Sequence, residues 1–109
     1  MSRLRRFTAQ PYGFEVLFAA SEKALNRAAT RFKCDVPENV LGCVLRPDGG
    51  PLIVSVLDGK PTTLVHECGH AALFILERAG INPTDSNGES LCYLLDYLYG
   101  SFEPFLTTS

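Results

Sequence analysis

The sequence predicts an α+β domain: a small antiparallel sheet packed against an H-E-x-x-H helix and a following C-terminal helix. Three observations carry that prediction. Two apolar, β-branched runs, Leu41 to Arg46 and Pro51 to Leu57, flank the turn sequence Pro47-Asp48-Gly49-Gly50, which is the pattern of a hairpin. Thr62 to Ala79 repeats apolar residues at helical spacing and stops at Gly80. Glu89 to Tyr99 repeats the pattern after the loop Asn82-Pro83-Thr84-Asp85-Ser86-Asn87-Gly88.

In chain order, Tyr12 to Ala20 is aromatic-rich and reads as a first strand or as the lead-in to a helix. Ser21 is a suitable N-cap for a helix over Ala24 to Lys33, because its hydroxyl can accept a bond from a free amide of the first turn. Val36-Pro37-Glu38-Asn39 ends that helix, and Asp58-Gly59-Lys60-Pro61 separates the hairpin from the next. The order helix, hairpin, helix, helix gives a sheet with helices on one face. The segment after Gly100 carries no assignment.

With 109 residues the chain has room for one core, so residues 1–109 form a single domain. Hydrophobic residues at 46% and charged residues at 20% exclude a disordered or fibrous chain. A net charge of −2 gives no field to attract nucleic acid. The basic cluster Arg3, Arg5 and Arg6 reads as a solvated tail, with a small anionic contact as the alternative. No apolar run reaches membrane-spanning length, and the N-terminus has no signal-peptide pattern. A cytoplasmic location follows as the expectation. Cys34, Cys43, Cys68 and Cys92 form no C-x-x-C pair and sit among apolar neighbours, which suits reduced, mostly buried thiols.

The chemistry concentrates in Val65-His66-Glu67-Cys68-Gly69-His70-Ala71-Ala72, which holds both histidines of the protein. On a helix, residues four apart lie one turn above each other. His66 and His70 can then converge on one zinc ion, while Glu67, a third of a turn around, reaches a water on that ion as general base. Cys68 falls in the apolar arc and Glu77 lies too far along the axis, so neither is a ligand. The same pattern also occurs on ordinary solvated helices. Here the uncharged intervening residues and the narrow polar arc favour the metal.

On these residues the chain resembles the zincin metallopeptidases. H-E-C-G-H-A-A is similar to their H-E-x-G-H form, and the hairpin before the motif helix is similar to a minimal zincin core. The likeness spans roughly Leu41 to Tyr99. It extends to the small zincin-like proteins of bacteriophages and prophages, whose H-E-C-x-H-A-A helix precedes a tyrosine-rich one. A phage origin would place the protein in the host cytoplasm.

The metzincin form is excluded, because Leu73 and Leu76 stand where its Gly and third His would be. The gluzincin form takes its third ligand from a glutamate on the following helix, and Glu89 stands at a similar spacing. Tyr93 occupies the place of that form's Asp, with Asp96 on nearly the same face.

Glu89 has a competing role. Ser86-Asn87-Gly88-Glu89 fits the S-x-x-E capping box, and Asn87 is a second possible cap. Asp85, Asp96 and Cys92 are the reserve ligands. Asp96 is also a candidate acceptor for a ring N–H of His66 or His70. Tyr93 and Tyr97 are candidates to stabilise an oxyanion, or they cover the core with their hydroxyls in water. The expected function is zinc-dependent hydrolysis of a peptide or protein substrate; the alternative is a catalytically silent zincin-like binding or assembly module with structural or no zinc. No nucleic acid or membrane partner is expected.

Overall fold

The computed structural model describes residues 4–106. Arg3 of the basic cluster lies outside them. Four strands, β1 (Leu4–Ala9), β2 (Phe14–Ala19), β3 (Gly42–Leu45) and β4 (Leu52–Val56), form one sheet in the order β1-β2-β4-β3. Three helices, α1 (Glu22–Phe32), α2 (Pro61–Arg78) and α3 (Glu89–Phe102), complete the α+β architecture.

The hairpin forms as expected: β3 and β4 pair antiparallel from Gly42↔Val56 to Leu45↔Ile53. The sheet as a whole corrects the antiparallel expectation, because β2 and β4 are parallel, with Val16 opposite Leu52 and Ala19 opposite Ser55. A parallel pair needs a long crossover, and α1 with the β3 hairpin arm supplies it.

Helices also cover both faces rather than one. Phe18, Val54 and Val56 pack towards α2 and α3. Leu17, Ala19, Cys43, Leu45 and Ile53 pack against Ala24, Leu25, Ala28 and Ala29 of α1. Val16 to Ala20 and Leu52 to Val56 are therefore buried without a break, as strands covered on both sides must be.

Ser21 caps α1, its Oγ accepting a bond from the Ala24 amide at 3.1 Å. Pro61 opens α2 at a position where a missing N–H costs nothing, one residue before the expected start. Gly80 at φ 73° follows its end.

Arg5 and Arg6 belong to the sheet and not to a solvated tail. On β1, Arg6 forms an ion pair with Glu15 of β2 at 2.6 Å, and the Arg5 guanidinium lies 4.4 Å from the Phe105 ring centre. Phe7 and Phe18 both meet Phe102 of α3, at 5.1 and 4.9 Å between ring centres. The Tyr97 hydroxyl donates to the Thr8 carbonyl at 2.9 Å, so α3 is fastened over the β1 edge of the sheet. Among the described residues no helix is long and apolar enough to cross a membrane.

Candidate functional site

The expected division of α2 holds for Cys68 and the histidines but not for the whole helix: Val65 and Leu73, expected in the apolar arc, are 47% and 44% exposed, and Glu67, expected beside the histidines, is buried. Leu64, Cys68, Ala71, Ala72, Ile75 and Leu76 are buried, while His66 and His70 are exposed. Their Nε2 atoms face each other at 3.2 Å. Two imidazole nitrogens bound tetrahedrally to one zinc at about 2.0–2.1 Å would stand about 3.3–3.4 Å apart. At 3.2 Å the two nitrogens stand at hydrogen-bonding distance from each other, and that separation is close to the spacing two ligands on one ion would have.

Glu67 lies against Gly42 of β3, near the histidines, and is only 8% exposed. Burial raises its pKa, and the neighbouring His66 and His70 oppose that rise. A carboxylate held above its ordinary range is a better proton acceptor near neutral pH than a solvated one. Its position depends on β3. At Gly42 an added Cβ would come within 2.7 Å of the Ser55 carbonyl oxygen and 2.9 Å of the Thr63 Cγ2. Only a glycine lets the helix and this strand approach so closely.

The motif face of α2 borders β3, which among the described residues pairs only with β4 and leaves one edge of the sheet open. Two depressions lie along this border. One, of about 430 Å³, is lined by Val40, Leu41, Gly42, Thr62, Thr63, His66 and Glu67. The next, of about 300 Å³, is lined by Val44, Arg46, His70 and Phe74. A larger cavity, about 610 Å³, lies elsewhere, beside the end of α1, and no His or Cys lines it.

The groups expected from α3 do not join the pair. Among the described residues no cluster of three His, Cys, Asp or Glu side chains is arranged to hold a metal. The reason is topological. α3 packs over β1, whereas the histidines border β3 at the opposite edge of the sheet. Glu89, Cys92, Tyr93 and Asp96 are exposed on α3, and Asp85 is exposed in the short turn before it. No hydrogen bond joins Asp96 to either imidazole.

Nor does Glu89 close a capping box. Ser86 and Asn87 have φ of 54° and 59°, Gly88 is the N-cap, and no side chain caps α3. Tyr97 is committed to Thr8, which corrects the expectation of a hydroxyl in water, and Tyr93 is 70% exposed. The four cysteines are free, with Cys43 and Cys68 buried, Cys34 half-buried and Cys92 exposed.

Arg46, Phe74 and Arg78 were not singled out from the sequence, although a signal was present: Phe74 and Arg78 continue the four-residue row begun by His66 and His70. Both guanidiniums lie against the Phe74 ring, Arg46 at 5.0 Å and Arg78 at 5.9 Å from its centre. Comparison with family models, with curated proteins and with solved structures finds no match to the chain.

Proposed function

We propose that this domain is a compact zinc-dependent peptidase of zincin-like build, with His66 and His70 as metal ligands and Glu67 as general base. The observation that carries the proposal is the convergence of the two Nε2 atoms at 3.2 Å, beside a buried carboxylate and an open sheet edge. Zinc bound there would supply an acidified water and polarise a carbonyl. Glu67 would take up a proton beside His66, with burial favouring its protonated form. β3 would hold an extended peptide by backbone pairing.

A catalytic zinc site normally has three protein ligands, and the described residues supply two. Glu89, the third that the resemblance implies, would have to cross from the β1 side of α2 to the β3 side. That separation favours the alternative, a catalytically silent module in which the same residues bind zinc structurally or not at all.

Elemental analysis of untagged protein purified without added metal decides the first point. About one equivalent of zinc, lost in His70→Ala, supports the site; no zinc and no affinity for added zinc overturns it. Glu67→Gln separates the two functions. Retained zinc with cleavage reduced at least about 100-fold supports catalysis, and unchanged cleavage overturns the role of Glu67.

A further inference from the structure

The groove between β3 and the motif face of α2 continues past the histidines. His66, His70, Phe74 and Arg78 follow one another at four-residue intervals along α2. Opposite them run Leu41, Gly42, Val44 and Arg46. Beyond His70 the groove opens into a cavity of about 480 Å³, walled in part by Phe14, Arg46, Phe74 and Arg78. Phe14 meets Phe74 edge to face at 6.0 Å, which fixes the ring as a platform between the two guanidiniums.

Neither guanidinium has a carboxylate within ion-pairing distance among the described residues. Asp48 shares the cavity from the hairpin turn without reaching either. Each guanidinium carbon lies over the ring, and with no carboxylate partner among the described residues its N–H groups are available to an anion. Arg46 also lines the depression that holds His70, so the basic cavity and the histidine site are continuous.

We infer that Arg46 and Arg78, set on Phe74, form a carboxylate-binding subsite that selects acidic peptides for the groove. The substrate meaning of this subsite rests on the peptidase proposal; carboxylate binding itself does not. Val44, beside His70, and Arg46 are two residues apart, about 7 Å along a strand. A peptide laid along β3 therefore presents its carboxylate two or three residues from the bond opposite His70. Running antiparallel to β3, the peptide would offer an acidic side chain N-terminal to that bond. Running parallel, it would offer the carboxylate of its own C-terminus.

The test is a ¹H–¹⁵N titration of the full chain as Glu67→Gln in chelator, so that neither zinc nor cleavage enters the result. The probes are an acetylated, amidated tetra-alanine carrying one glutamate, its glutamine counterpart, acetylated tetra-alanine with a free carboxylate, and inorganic phosphate. Amide shifts at Arg46, Phe74 and Arg78 with either carboxylate peptide support the subsite, and which of the two binds tells the source of the carboxylate. Binding should weaken at least about ten-fold with the glutamine peptide and in Arg46→Gln/Arg78→Gln. Arg27→Gln on α1 should leave it unchanged, and peak dispersion shows that each variant is folded. Equal binding of the glutamine peptide, the same shifts with phosphate, persistence in the double variant or no shift at all overturns the proposal. Zinc content and cleavage, measured separately, report on the peptidase proposal alone.

Discussion

Gly42 lies against Glu67: a Cβ built on the glycine would stand 3.1 Å from the Cγ of the glutamate. The edge strand thus sets the depth at which the carboxylate sits under the histidines. The same missing side chain brings Thr63 and the Ser55 carbonyl within reach. Strand, helix and candidate base are locked at one point.

Gly42→Ala should therefore be costly out of proportion to one methyl group. The 2.7 Å approach is to a backbone oxygen inside the sheet, which cannot swing aside as a flexible side chain would. Overpacking of this kind costs about 1–3 kcal/mol, and α2 must shift from β3 to relieve it. Chemical denaturation should show the loss. A variant as stable as the parent would mean that β3 and α2 are not so tightly apposed.

Glu89→Gln should leave zinc affinity within about two-fold of the parent, while His66→Ala and His70→Ala each lower it by at least about 100-fold. The contrast follows from α3 lying over β1 while the histidines border β3. Competition with a chromophoric chelator measures all three. A large loss in Glu89→Gln would show that α3 moves around α2 when metal binds, and would restore the gluzincin-type ligand set.

What the sequence made legible was local. The helical period of Thr62 to Ala79 separated the exposed His66 and His70 from buried Cys68, and Ser21 announced the start of α1. The errors came from long-range partners. Arg5 and Arg6 read as part of a solvated tail, yet Glu15 and Phe105 supply partners for both arginines. β2 pairs in parallel with β4 because α1 takes the opposite face of the sheet, which no local pattern reveals. The capping box failed for a backbone reason: Ser86 and Asn87 are left-handed, so helical geometry begins only after Gly88.

Thiol chemistry should divide the four cysteines. Burial, reinforced by the charge of Glu67, pushes Cys43 up to about 11 and Cys68 up to about 12. Since the thiolate is the reactive species, neither should react with an aromatic disulfide reagent in the native protein at pH 8. Cys92 is exposed and should react first. Cys34 is raised by burial and then by Asp35 and Asp48, so it should react more slowly, and faster as pH rises. Counting thiols before and after denaturation checks the division. Prompt labelling of Cys68 in folded protein would contradict its place in the core.

The start of α2 offers a test of pH dependence. Its N-cap, Lys60, makes no side-chain cap, and Asp58 instead braces the turn that leads into the helix. One Asp58 carboxylate oxygen accepts from the Lys60 amide at 3.0 Å and the other from the Thr63 hydroxyl at 2.6 Å. The Thr63 hydrogen bond is the main cause of a lowered Asp58 pKa. A depressed carboxylate stabilises the fold above its unfolded value and loses that contribution as pH falls through its folded one. Asp58→Asn leaves Thr63 without its charged acceptor and, at this solvent-accessible site, should cost about 0.5–1 kcal/mol at neutral pH. The difference from the parent should shrink as pH drops below about 4, when the parent's own carboxyl is protonated. Thermal unfolding of both proteins across that range is the measurement. A difference that stays constant down to full protonation would show that shape rather than charge holds this turn. Thr63 sits one helical turn before Glu67 and lines the same depression as His66. A frayed first turn should therefore also loosen the candidate site.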